Sequence, residues 1–495
     1  MKLNHAFFRT GFGLAILFAA GCAVGPDYHR PNGSAPPQWG EALNGGETNG
    51  AASVAGWWKN FDDAELNSLI DRAVQSNLDL KIAAARVREA RAQYRIVSAD
   101  QWPSVGTSGS YTRDRESKHQ PILGSLPLPP GVPFENNVYQ AGFDAAWELD
   151  VFGGTRRAEE AAKAEVAAAE YGRRGTLVTL LAEVARNYVE ARGYQRQLAI
   201  TRENITSQEQ GLALTQDRFA HGLVSDLDVQ QATTLLAITR AGVPTLERAA
   251  QASIHRLGVL LGQPPGALLT EMSAAAPIPA APPEVPVGLP SELLLRRPDV
   301  RMAERQLAAA TAQIGVATAD LFPKFSLTGA AGFESVSAGD WFSGGSKFWS
   351  LGPTVQWNIF DAGRIRANIK VRNAWQEEAL GNYERTVLAS FEDVENALVN
   401  YAKEQVRRRS LEDAVKSSRE SLNLANQLYG NGLANFINVL DAERSLYQAQ
   451  DQLVQSEYSV SLDLIALYKA LGGGWEEDAA QKPSVESGQA EQQSK

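Results

Sequence analysis

Few side chains in this sequence are arranged for bond chemistry. The five histidines (His5, His29, His119, His221 and His255) lie far apart and make no HExxH or other paired-ligand spacing. Cys22 is the only cysteine, which excludes internal disulfides and thiolate zinc clusters. The carboxylates are scattered, and no phosphate-binding loop accompanies them. Asp441 and Arg444 stand three residues apart, a spacing that on a helix gives an ordinary surface ion pair. No catalytic residue, metal or cofactor is expected, and an enzyme is the weakest of the functional readings.

The thiol has a different use. Lys2 and Arg9 form a short basic region, and Gly11 to Ala20 form an apolar run too short to span a bilayer. Ala19-Ala20-Gly21 then sets small residues directly before Cys22. Residues 1–21 read as a signal peptide, and the junction resembles a bacterial lipobox, with Ala19 where Leu is commoner. That resemblance implies S-diacylglycerol on Cys22 and, after cleavage, an N-palmitoyl or similar acyl chain. An ordinary secretory signal or a buried structural cysteine are the alternatives. Cleavage removes Lys2 and Arg9 and no acid, so the net charge moves from −10 to −12. Ala23, where Asp would retain a lipoprotein at the inner membrane, favours the outer membrane by resemblance to sorting rules. Several acyl chains anchor firmly, at ~0.8 kcal/mol per buried methylene.

The elements that follow must form one long repeated architecture or several domains, because 495 residues is about three times a usual domain of ~150. With 44% hydrophobic and 21% charged residues the chain is neither disordered nor a polytopic helical membrane protein. Beyond the N-terminus no run reaches the ~18 apolar residues of a spanning helix. A net charge of −10 argues against a nucleic-acid partner.

The sequence is duplicated. Ala99-Asp100-Gln101-Trp102-Pro103 returns 220 residues later as Ala319-Asp320-Leu321-Phe322-Pro323. Further on the offset becomes 210, pairing Gly142 with Gly352, Trp147 with Trp357, Gly222-Leu223 with Gly432-Leu433, and Leu261-Gly262 with Leu471-Gly472. The boundaries follow: an N-terminal segment 22–62, a first repeat 63–262, a Pro-rich connector 263–290, a second repeat 291–475, and a polar tail 476–495 expected to be disordered.

Each repeat has a helix, two strands and two long helices. Strands are expected at about 104–115 and 138–151, then 324–335 and 347–360. From Tyr139 to Val151, and again from Trp349 to Ile359, apolar and polar residues alternate. Pro353 should weaken pairing. Segments of about 9–11 residues with one apolar face fit transmembrane strands, and equally a soluble sheet with one buried face. Trp147 and Trp357 read as packed aromatics or interfacial anchors. Long helices are expected over about 155–262 and 364–472. Leu177, Leu181, Val184, Tyr188, Ala191 and Leu198, and in the second copy Val387, Phe391, Val394, Leu398 and Tyr401, recur at seam spacing. Gly222 and Gly432 end the first long helix of each copy, with Ser225 and Asn435 as caps of the return helix. Gly242 and Pro244 should break the first return helix about halfway. Four strands cannot close a lipid-facing barrel, since single chains start at about eight. Two chains would give eight strands and three would give twelve.

Three motifs carry a resemblance. They are Cys22-Ala23-Val24-Gly25-Pro26-Asp27-Tyr28, Gly288-Leu289-Pro290-Ser291-Glu292-Leu293-Leu294-Leu295-Arg296-Arg297-Pro298-Asp299-Val300, and Tyr468-Lys469-Ala470-Leu471-Gly472-Gly473-Gly474-Trp475. Over Cys22 to Trp475 the chain resembles the TolC-like outer-membrane efflux factors, in the lipoprotein branch typified by OprM and NodT. The resemblance implies a mainly α homotrimer with transmembrane β-strands. Four strands per chain would make a twelve-stranded outer-membrane β-barrel, and the antiparallel helical hairpins a periplasmic α-barrel. It implies an exit duct working with a periplasmic adaptor (membrane fusion protein) and an inner-membrane RND-type transporter. It places Ile437, Asp441 and Arg444 at a periplasmic gate. Gly222, Leu223, Gly432 and Leu433 fall at hairpin tips that dock the partners. Gln231 replaces Asp441 in the first copy, so only the second hairpin would form the ring. An exit duct for type I protein secretion, and a coiled-coil surface lipoprotein without a channel, are the competing readings.

Overall fold

The computed structural model describes residues 23–31, 35–40, 47–48, 54–115, 117, 134–282 and 285–475. The expected signal peptide (1–21), Cys22 and the 476–495 tail lie outside the described residues.

A two-residue strand β1 (Glu47–Thr48) precedes the first repeat. Helix α1 (Ala64–Ser76) begins where Asp63 accepts the Leu66 N–H at 2.9 Å, and α2 (Leu78–Ala99) where Asn77 accepts that of Leu80 at 2.9 Å. Strands β2 (Ser104–Arg115) and β3 (Glu135–Leu149) follow, then α3 (Gly154–Ala220) and α4 (Asp226–Leu260). The connector holds β4 (Val285–Pro286), which pairs in parallel with β1. The second repeat runs α5 (Pro290–Arg296), α6 (Pro298–Ala319), β5 (Lys324–Ser335), β6 (Lys347–Gln356), α7 (Arg364–Gly430) and α8 (Phe436–Ala470). The long helices have 67 and 35 residues in both copies.

Three local expectations are corrected. Strand β3 spans 135–149 rather than 138–151, and β6 ends at 356 rather than 360, so Trp357 and Ile359 lie beyond the sheet. An aspartate turns the chain at each exit. Asp150 accepts the N–H groups of Thr155 and Arg156, and Asp361 those of Gly363 and Ile365, which starts the next helix. Helix α4 passes through Pro244 unbroken. Loss of one donor is offset by packing on both sides, where Leu235, Leu236 and Thr239 are buried before the proline and Ala250, Ile254 and Leu257 after it. Asn435 makes no side-chain cap, whereas Asp228 accepts from both the N–H and the hydroxyl of Ser225. Pro353 stays within β6, opposite Leu327, and β6 is an edge of the sheet within one chain.

Two compact units cut across the two repeats. One (1–31, 88–168, 304–382) holds the antiparallel sheet, in the order β2-β3-β5-β6, and the helix ends that enter and leave it. There the backbone after Cys22 is tied down: Val24 N–H donates to Phe152 O at 3.1 Å, and Arg157 reaches Val24 O and Asp27 at 3.2 and 2.6 Å. The Arg157 guanidinium beside Asp27 holds that carboxyl below the usual range. The other unit (32–87, 169–303, 383–495) has the main core, built on the seam residues Leu177, Leu181, Val184 and Tyr188 with Val394, Leu398 and Tyr401. Trp57, Trp58 and Phe61 complete it, Trp57 stacking on Tyr468 at 5.2 Å. The segment 22–62 is thus core-forming as well as connecting.

Candidate functional site

The sheet has two faces of opposite character. Direct pairing aligns Tyr111, Tyr139 and Ser335, then Phe143 with Ala331 and Trp349, and Trp147 with Leu327 and Pro353. That face carries Val105, Phe143, Trp349, Leu351 and Val355. The opposite face carries Ser108, Gln140, Asp144, Thr328, Ser350 and Thr354. A soluble sheet would bury its apolar face, yet Phe143 is 65%, Leu351 69% and Trp349 79% exposed. A bare apolar face backed by a polar one suits hydrocarbon on one side and water on the other. The Trp147 indole donates to Gln101 O at 2.9 Å and that of Trp357 to Leu321 O at 3.0 Å. These acceptors are 220 residues apart, so both copies pin a tryptophan to the turn where the chain enters the sheet.

In the other unit, α3 and α7 end alike. Gly222 and Gly432 have φ of 72° and 74°, the left-handed values that need no Cβ. Leu223 N–H returns to Arg218 O at 2.9 Å and Leu433 N–H to Leu428 O at 2.8 Å, the Schellman closure. Leu223 and Leu433 are left exposed, while Ala232, Leu235, Ala425, Tyr429, Phe436, Val439 and Leu440 form a small core behind them. Sequence reasoning missed one tie: Arg218 donates to Tyr429 O and Gly430 O at 3.0 and 3.2 Å and lies 4.3 Å over the Tyr429 ring. Arg218 stands where the second copy has Leu428, so the difference between the copies could have flagged it.

Asp441 and Arg444 lie on α8, their charged atoms 3.8 Å apart, both exposed, with Ile437 one turn before. Within one chain this is a loose i, i+3 pair, and both charges remain open to a further partner.

The two remaining motifs meet each other. Arg297, nearly buried, donates to both Asp299 oxygens at 3.0 and 2.6 Å, to Asp393 at 2.8 Å and to Ala470 O at 3.3 Å. Burial alone would raise the Asp299 pKa, but the Arg297 hydrogen bonds and charge prevail and lower it. A Cβ on Gly472 would stand 3.0 Å from Arg297 Cγ, and Trp475 donates to Arg296 O at 3.0 Å. Arg297 thereby joins the start of α6 to α7 and to the end of α8.

The family profile described as outer membrane efflux protein matches residues 69–263 and again 289–473, once per repeat. The chain is similar to the solvent efflux pump outer membrane protein SrpC of Pseudomonas putida, with 34% identity over 93% of this chain and 97% of that protein. It is similar also to the outer membrane protein OprJ of Pseudomonas aeruginosa, 35% identical over 95% and 97%. Among solved structures the outer-membrane channel OprN shares 37% identity and a TM-score of 0.85, covering 92% of this chain and all of that one. By name, SrpC is an efflux-pump protein and OprN a channel. The two-faced sheet, the twofold repeat and the match over nearly the whole length agree, and the chain belongs to the outer membrane efflux protein family.

Proposed function

We propose that this protein is the exit duct of a tripartite pump, carrying small toxic compounds across the outer membrane. The observation that carries the reading is the sheet: four strands, apolar outside and polar inside, with β2 and β6 as edges that have no partner among the described residues. Edges cannot stand open in lipid. Three chains joined β6 to β2 give a closed barrel of twelve strands, and their long helices give the periplasmic tube. Lipidated Cys22 adds an anchor beside the tethered residues 23–31. The exposed tips at Gly222-Leu223 and Gly432-Leu433 offer apolar docking points to a periplasmic adaptor and, through it, to an inner-membrane RND-type transporter. Asp441 carboxylates of three chains, linked to neighbouring side chains such as Arg444, close the tube near Ile437. Cargo selectivity then resides mainly in the transporter.

Single-channel conductance in planar bilayers tests this. The parent should show small, mostly sealed conductance that rises in Asp441→Ala with Arg444→Ala. Equal conductance in both keeps the duct and removes the gate from these residues. Folded protein that forms no channel overturns the barrel.

A further inference from the structure

The apolar face of the sheet ends in an unusual way. The strands enter from α2 and α6 and leave to α3 and α7, so the β2–β3 and β5–β6 connections lie at the end remote from the helices. On the apolar face near that end five rings touch in series, tilted, stacked or edge-to-face. Tyr111 lies 4.8 Å from Tyr139, Tyr139 5.6 Å from Trp341, Trp341 4.8 Å from Phe342, and Phe342 5.5 Å from Phe333. Directly past this belt, on the same face by register, stand Arg113 and Arg115, with side chains 63% and 71% exposed. Both bond Glu135, at 2.8 and 3.4 Å, which holds the two guanidinium groups side by side. Lys347, exposed and opposite Phe333, adds a third cation. Against one carboxylate the group keeps a net charge of +2.

The spacing fixes the depth. From Trp147 to Tyr139 is eight residues, ~27 Å along a strand and ~20 Å of height at a barrel tilt of about 40°. The rings therefore mark the outer rim of an apolar band of ~25 Å. Arg113 and Arg115 lie two and four residues beyond Tyr111, ~5 and ~10 Å further out. That is the level of headgroup phosphates, not of acyl chains. Guanidinium pairs match phosphate oxygens in a fork, and the belt below offers flat surface to acyl chains. The Lys347 stem is long enough to carry its ammonium past the rings.

We propose that Arg113, Arg115 and Lys347 form a docking site for a phosphorylated, acylated glucosamine lipid of the outer leaflet, of the lipid A type. This rests on the barrel reading. Within one chain Lys347 stands three strands from Arg113, at the register level of Gly109. Joining β6 to β2 of the next chain by the duplicated register sets it beside that chain's Arg115, so occupancy ties β6 of one chain to the β2–β3 hairpin of its neighbour through one headgroup.

The full-length, detergent-extracted protein is heated with lipid A, with dephosphorylated lipid A, and with inorganic phosphate. Lipid A should raise the Tm by several degrees, as binding to the folded state requires. The rise should fall at least ~3-fold in Arg113→Gln with Arg115→Gln and Lys347→Gln. It should grow in Glu135→Gln, which frees both guanidinium groups. An equal rise with the dephosphorylated lipid would assign binding to the apolar belt alone and overturn the site. An equal rise with inorganic phosphate would make it a free-anion site and overturn it likewise. An unchanged rise in the triple variant does the same. Conductance of the same preparations separates the two readings: a channel without the lipid effect removes only this site, whereas no channel removes the barrel beneath it.

Discussion

Replacing Arg297 tests whether one buried guanidinium holds three helices together. Three charge-assisted bonds to carboxylates, at 3.0, 2.6 and 2.8 Å, would be worth ~1.5–3 kcal/mol each if fully enclosed. Asp299 and Asp393 are, however, 42% and 53% exposed, so they rehydrate once the guanidinium is gone. Screening reduces each bond to under ~1 kcal/mol, ~2 kcal/mol for the three. The buried stem against Gly472 adds ~2 kcal/mol, at ~0.8 per methylene. Arg297→Ala should therefore cost ~4 kcal/mol, Arg297→Met, which keeps the stem, ~2, and Arg297→Lys, which keeps a charge but not the fork, ~1. Thermal unfolding in detergent, followed by tryptophan fluorescence at one scan rate, gives the order of the three variants. Because a chain of this size moves at most ~2 °C per kcal/mol, Arg297→Ala should fall by several degrees. Arg297→Met indistinguishable from the parent, or Arg297→Ala no worse than Arg297→Met, would refute this division between charge and packing.

Three other outcomes are expected. A Cβ on Gly332 would stand 2.3 Å from Ala141 O and 2.6 Å from Gly142 Cα, whereas one on Gly344, in the β5–β6 connection, meets nothing within 4 Å. Gly332→Ala should thus reduce the yield of assembled oligomer on semi-native gels and Gly344→Ala should not. The duplication maps β3 onto β6 and β5 onto β2, so the facing pair Gly142 and Gly332 becomes Gly352 of one chain and Thr112 of the next. Cysteines at 352 and 112 should form an interchain disulfide under mild oxidation, and a pair at 352 and 110 should not. Burial, with Glu404 nearby, pushes the Asp463 carboxyl from 3.8 up to about 6. A pKa raised on folding favours the protonated form, so Asp463 detracts from stability increasingly as pH rises from ~4 to ~6. Asp463→Asn should stabilise the fold at pH 8, by less than ~3 kcal/mol, and leave its stability unchanged at pH 4, which thermal unfolding at the two pH values checks.

Periodicity made the sheet legible, because side-chain alternation is a local property. The expected strands 104–115 and 324–335 coincide with β2 and β5, while β3 and β6 slip at their ends. There the deciding interaction is an aspartate accepting N–H groups two to six residues on, a signal weaker than the alternation itself. Pro244 misled because propensity counts one lost bond and tertiary packing counts the rest. Two partners of Arg297, Asp393 and Ala470, lie 96 and 173 residues away, and only folding brings them to it, whereas Asp299 is two residues on. Trp57 and Trp58 stand side by side in the sequence, and nothing near them names Tyr468 as the partner of Trp57. At the tips, Gly222 and Gly432 were legible from spacing, and Arg218 would have been had the two copies been compared for their differences.

The Arg218 tie has a mechanical meaning. Two hydrogen bonds and a stacked ring fasten the last turn of one hairpin's long arm to the last turn of the other's. An arm that swung away by itself would have to shed all three contacts. An arm that carried its neighbour would keep them. The two tips therefore behave as coupled levers rather than as separate flaps, and a pair of spin labels at positions 223 and 433 would hold its spacing through opening.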